Sequence, residues 1–268
     1  IRYLFLKVDD FVEIHDRTHP IIEEYGTPAQ RVGYLGALGA HDNLKYRFAV
    51  SEQAVLYSRK AMETVRQTGN MREVASRQFS LGFNLLFAGD LQDAEVNLLA
   101  AYRLGNKLGD AWIQTASLNY LAICYRLQSM QAEVREYAQH ALVMAQRTEL
   151  NAYIGMSKAN LGWADWKNGE FEQTEARCIE ALSILKGLTN PFNWCALFPL
   201  THIAVTQGEF EKAVDYLTQL LDPRQMRLPD ELSHAAEGGI AAWNAGRQED
   251  VNSSFRRTLE LAEEYGFL

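Results

Sequence analysis

The chain has 268 residues, 47% apolar and 22% charged, the proportions of an ordinary globular protein, and its six prolines leave room for long helices. A formal charge of −8, from 34 acidic and 26 basic residues, argues against sequence-independent nucleic-acid binding and against docking on anionic membranes. The longest apolar runs, such as residues 196–200, are far too short to span a bilayer.

The chain opens on Ile1-Arg2-Tyr3-Leu4 with no initiator Met and no leader-like cleavage pattern. This stretch reads as the interior of a helix, so we expect a piece of a longer protein. Residues 1–27 then form the remnant of a preceding helical repeat, bent near Pro20. His15 and His19 are four apart, a spacing that zinc sites use, but the proline disfavours helix at His19. No metal site and no cofactor are expected.

From residue 28 onward the chain is self-similar. Leu81-Gly82 opens a stretch that continues through Leu85, Gly89-Asp90-Leu91 and Ala94 to Leu98 and Ala101. Forty residues on stand Leu121-Ala122, Tyr125, Ser129, Ala138 and Ala141; forty more bring Leu161-Gly162, Gly169-Glu170-Phe171, Cys178 and Ala181. Steps of 39 and 38 then reach Leu200-Thr201, Gly208 and Leu217, and Gly239, Gly246 and Phe255. A degenerate earlier repeat carries Ala61. Each repeat reads as a first helix, a glycine-closed turn and a second helix with one apolar stripe. First helices are expected near 28–46, 71–88, 110–127, 150–167, 190–206 and 229–245. Second helices are expected near 51–67, 91–106, 131–147, 171–186, 210–221 and 248–265. Repeats fall near 28–69, 70–109, 110–149, 150–188, 189–227 and 228–268, and residues 222–229 form the one irregular connector. One helix pair cannot bury its own stripe, so the repeats must stack. Ala101 and Ala141 should be buried where they do.

Leu-Gly, a tight Gly-Asp turn and paired alanines resemble the tetratricopeptide repeat. The usual period there is 34, and the family's first-helix Trp is missing. The extra residues follow Ala101 and lengthen each pair by about 9 Å at 1.5 Å per residue. This long-period variety is similar to sensor segments of bacterial signalling ATPases, nucleotide cyclases and maltose-regulator-like activators, and to peptide-sensing regulators of Gram-positive bacteria. The resemblance implies an all-α, right-handed α-solenoid of about six helix-turn-helix repeats over residues 28–268.

It also implies a concave groove lined by the first helices. At the matching positions stand Phe79, Phe83, Leu86 and Phe87, then Asn119, Ile123, Arg126 and Leu127. Met156, Trp163, Trp166 and Lys167 follow, then Phe198 and His202, then Ile240, Trp243 and Asn244. Such a groove is rich in aromatics, which dominate interface energetics. Arg126, Lys167 and His202 would orient a polar or anionic end of the ligand. The competing reading is that these rings pack between repeats as core.

No Gly-rich phosphate loop, nucleophile elbow or convergent acid–base pair stands out. Cys124, Cys178 and Cys195 lack metal-ligand spacing and read as buried, reduced thiols of a cytoplasmic protein. The expected function is a non-catalytic scaffold that binds an apolar peptide, a helix or a neighbouring domain as the sensor segment of a larger bacterial regulator. The alternatives are a sensor for a sugar or aromatic metabolite, and self-association into a homo-oligomer.

Overall fold

A computed structural model describes residues 8–268; the opening stretch read above as helix interior lies outside them. Among the described residues the chain is helical throughout, with turns between and no strand. Its contacts divide it into two compact blocks, one ending at Ser117 and the other Leu118–Leu268.

The first block holds α1 (Val8–Tyr25), α2 (Pro28–Lys45), α3 (Glu52–Val65), α4 (Met71–Phe87), α5 (Leu91–Leu108) and the start of α6 (Ala111–Leu127). Helix starts follow local chemistry. Thr27 closes a capping box with Gln30, and Ser51, Asn70 and Asp90 each accept from the backbone N–H three residues on. A buried amide network ties three helices together. Asn43 Nδ2 donates to Asn84 Oδ1 at 2.8 Å, and Asn84 Nδ2 donates to Ser58 Oγ at 2.7 Å. Satisfying these groups removes the desolvation penalty of burying them.

α1 corrects one expectation. It runs unbroken through Pro20, so His15 and His19 do share a face, their rings stacked at 5.2 Å and both packed against Tyr34. α1 thus continues through a position that the preference before proline disfavours.

The second block holds the rest of α6, then α7 (Gln131–Arg147), α8 (Asn151–Lys167), α9 (Phe171–Leu185), α10 (Trp194–Gln207), α11 (Phe210–Leu220), α12 (Asp230–Asn244) and α13 (Gln248–Glu264). α10 starts four residues later than the repeat predicts. Pro191 lacks an N–H and restrains its predecessor, so residues 186–193 form a second irregular connector. It is clamped to the 221–229 connector by Met226 N donating to Pro191 O (2.9 Å) and Gln225 Nε2 donating to Asn190 O (3.2 Å). Asp165, almost wholly buried on α8, pairs with Arg135 of α7 at 2.9 Å and Arg177 of α9 at 2.7 Å. Among the described residues no helix is long and apolar enough to cross a membrane.

The intra-repeat turn explains the spacing of the glycines. Gly169 takes φ 76, and Glu170 N returns to Asp165 O at 3.0 Å. Ser129, at the matching turn one repeat earlier, adopts φ 57, a conformation that costs a residue with a Cβ about 1–2 kcal/mol.

Close approach within four of the pairs follows a second rule, with partners sixteen residues apart. A Cβ at Gly82 would lie 2.8 Å from Leu98 Cγ, at Gly162 2.6 Å from Cys178 Sγ, and at Gly239 2.5 Å from the Phe255 ring. In the third repeat both partners are small. Ala122 and Ala138 share one apolar cluster with Leu142 and Leu161. Ala101 and Ala141 are fully buried.

The pairing is testable. Gly162→Ala should cost about 1–3 kcal/mol through overpacking, and adding Cys178→Ala, which recreates the alanine pairing of the third repeat, should recover most of it. A denaturant double-mutant cycle reads the coupling. A value under about 0.5 kcal/mol would show that the two positions do not compete for space.

Candidate functional site

Most of the residues picked out by resemblance fall into two clusters, one in each block. In the first block, α4 presents Phe79, Phe83 and Phe87 at four-residue steps. The Phe79 and Phe83 rings lie 6.4 Å apart and those of Phe83 and Phe87 4.9 Å apart. Phe48 meets Phe83 edge-on at 6.1 Å, and Trp112 meets Phe79 at 5.4 Å. Phe79 is buried, Phe83 and Phe87 are half-buried, and Trp112 is 45% exposed.

The second block builds its cluster around Arg126, in the last turn of α6 and fully buried. Its guanidinium lies over the Trp163 ring at 5.3 Å and the Trp194 ring at 4.9 Å. Nη1 donates to the main-chain carbonyl of Cys195, and Nη2 to that of Phe267, both at 2.7 Å. Nη1 also approaches Asn160 Oδ1 at 3.5 Å. Burial lowers the guanidinium to about 10, so it stays charged at neutral pH. Carbonyl oxygens and indole faces stabilise that charge in place of water.

Several donors of this cluster stay unpaired. Arg126 Nε, Asn160 Nδ2, Trp163 Nε1 and Trp194 Nε1 are buried without a hydrogen-bond partner among the described residues. Each unmet buried donor costs about 1–3 kcal/mol.

Trp163, Phe198, Ile123 and Asn119 are wholly buried and Trp166 nearly so. Ser157 Oγ donates to Asn119 Oδ1 at 3.0 Å. Lys167 is exposed but lies over the Trp163 and Trp166 rings at 5.4 and 4.8 Å, and burial of its stem lowers its pKa. Trp243 stands apart, half-buried against Phe210 at 6.3 Å.

Asn160, Trp194 and Phe267 were not legible as site residues from the repeat alone. The signal for Phe267 is local. Gly266 directly after the last apolar stripe, followed by Phe267-Leu268, is the pattern of a glycine-closed helix end with an apolar residue beyond it. Cys178 and Cys195 are buried in the same block, and burial pushes both thiols up to about 12, which leaves them protonated and poor nucleophiles.

No family model and no curated protein sequence matches the chain. Solved structures do. A Rap protein complexed with competence and sporulation factor is similar at TM-score 0.71 and 15% identity, over 96% of this chain and 70% of that one. The apo form of RapI is similar at TM-score 0.72 and 12% identity, over 99% and 98%. A signal transduction ATPase with a tetratricopeptide repeat sensor, from Pyrococcus horikoshii, gives TM-score 0.59 and 14% identity over 92% of this chain and 36% of that one. At these identities the likeness establishes the helical-repeat fold.

His202 supplies a pH test. It is half-buried, and its Nδ1 accepts from Trp166 Nε1 at 3.0 Å. Burial lowers its pKa, Glu263 opposes the shift, and Lys167 adds to it. The folded protein therefore favours neutral imidazole. Its stabilisation is complete above the unfolded value near 6.5 and is lost as pH falls below it. Urea melts from pH 7.5 to 5 should show a steeper loss for the parent chain than for His202→Gln, which keeps an acceptor without titrating. Parallel curves would mean that the Trp166 contact does not depend on the charge of His202.

Proposed function

We propose that the chain is a non-catalytic binding module, the sensor or interaction segment of a regulatory protein, and that the second block's cluster takes an apolar peptide segment. One observation carries this reading. Arg126 is held between two indole faces, and both of its short hydrogen bonds go to main-chain carbonyls. A planar fork of donors beside aromatic walls suits an extended peptide, which offers carbonyls along its length and side chains for the rings. The unpaired buried donors add to the case, because a peptide brings the acceptors they lack.

The fold neighbours point the same way. The Rap structure is a complex with competence and sporulation factor, and the ATPase neighbour's repeats are described as a sensor. Burial holds the Cys178 and Cys195 thiols protonated and makes them poor nucleophiles, which supports binding over catalysis through them. The aromatic ladder of α4 supports a contribution of the first block to partner binding.

A thermal-shift panel of short aromatic peptides and of sugars tests the reading. A peptide at a hundred times its Kd should stabilise the chain by about 2.7 kcal/mol, a rise on the order of 5 °C in Tm. Sugars should give no rise. Arg126→Met should abolish the peptide's increment, measured against that variant's own baseline. A sugar that raises Tm while no peptide does would replace this proposal with a small-molecule sensor.

A further inference from the structure

The second block's site already holds a piece of peptide, supplied by the chain itself. α13 is closed by Gly266 at φ 76. Gly266 N donates to Glu263 O at 2.9 Å and Phe267 N to Ala262 O at 2.7 Å, so the chain turns back sharply. The turn fits tightly against α6. A Cβ on Gly266 would lie 2.9 Å from Leu127 O and 3.1 Å from Leu127 Cα, both rigid backbone atoms.

This turn carries Phe267 onto the site. Its ring stacks on Phe198 at 5.3 Å with 21° between planes and meets Trp194 edge-on at 4.9 Å. Its carbonyl is the oxygen that receives Arg126 Nη2. Phe267 is 7% exposed and Leu268 1%. An aromatic side chain among the rings and a main-chain carbonyl on the guanidinium make one recognition unit.

We propose that residues 266–268 are a resident ligand of this site. The external ligand is then a peptide with an aromatic residue whose ring replaces that of Phe267 and whose own carbonyl replaces Phe267 O on Arg126, and its binding displaces the segment. This rests on the peptide-site reading above.

One feature favours exchange over a permanent plug: four buried donors stay unmet among the described residues while the segment is seated. A longer peptide can satisfy some of them, and that differential interaction is what drives one occupant to replace another. A tethered segment competes at an effective concentration in the millimolar range. The apparent affinity of an incoming peptide is therefore its intrinsic affinity reduced by the fraction of open sites.

The experiment uses the whole chain and a fluorescein-labelled hexapeptide, Glu-Glu-Tyr-Gly-Phe-Leu, which has the sequence of residues 263–268. Anisotropy measures its Kd for the parent chain and for Gly266→Ala, whose added Cβ clashes with the Leu127 backbone and should unseat the segment while leaving Arg126, Trp163, Trp194 and Phe198 unaltered. The variant should bind at least tenfold more tightly. Adding Arg126→Met to it should remove binding. In the parent chain, saturating probe should speed hydrogen exchange at the Phe267 amide.

Equal Kd values, with Phe267 exchange unchanged, overturn the displacement and leave the peptide-site reading standing. Failure of the probe to bind either chain, while other aromatic peptides raise the parent's Tm, shows that the segment is not ligand-like and overturns the inference alone. No binding of any peptide overturns both. Should Gly266→Ala not fold, Phe267→Ala carries the same expectation, and the exchange measurement needs no variant.

Discussion

The distance of closest approach within a helix pair is the constraint on which the rest of this structure depends. Two helices of 15–18 residues, such as α4 with α5 or α8 with α9, approach most closely where one side gives up its side chain. Gly82 does so for Leu98, Gly162 for Cys178 and Gly239 for Phe255, each across the same sixteen-residue separation. Where the second-helix residue shrinks to Ala138, the first-helix residue grows to Ala122. Volume is conserved across the pair while its distribution changes, which is what a close-packed interior demands.

The last turn of α6 also meets α8 and α10, which places a cation inside the second block. Arg126 is tolerated there because carbonyl oxygens and indole faces replace its hydration. Several donors around the charge stay unpaired. Such a site gains from any occupant rich in carbonyl oxygens. The glycine-closed end of α13 delivers one such carbonyl together with a ring. In the proposed reading, binding and self-occupation rest on the same chemistry, and what separates two occupants is how many of the remaining donors each can satisfy.

Helix placement was largely legible in the sequence, for identifiable reasons. Repeats 40 residues apart fix the starts of α4, α6 and α8 at residues 71, 111 and 151, and left-handed turn residues fix where first helices stop. Pro191 broke the repeat's register at the start of α10. α1 runs on through Pro20, where His15 and His19 pack against Tyr34 of α2, a contact between helices that no local rule contains. Arg126, Trp163, Trp166, Phe198 and His202 were picked out by position in the repeat, and the structure gathers them in one block. Phe79, Phe83 and Phe87 form a separate ladder in the other.

The sequence by itself determined the all-helical repeat and the pairing of helices. Those properties follow from periodicity and turn chemistry, which act over fewer than 50 residues. Tertiary structure alone decided that Phe267 returns to Arg126, 141 positions earlier in the chain, and that Trp194 and Asn160 join them. A contact across that separation depends on the accumulated rotation of several helix pairs. No residue's own propensity encodes that rotation, so only the folded chain shows which segment reaches the buried charge.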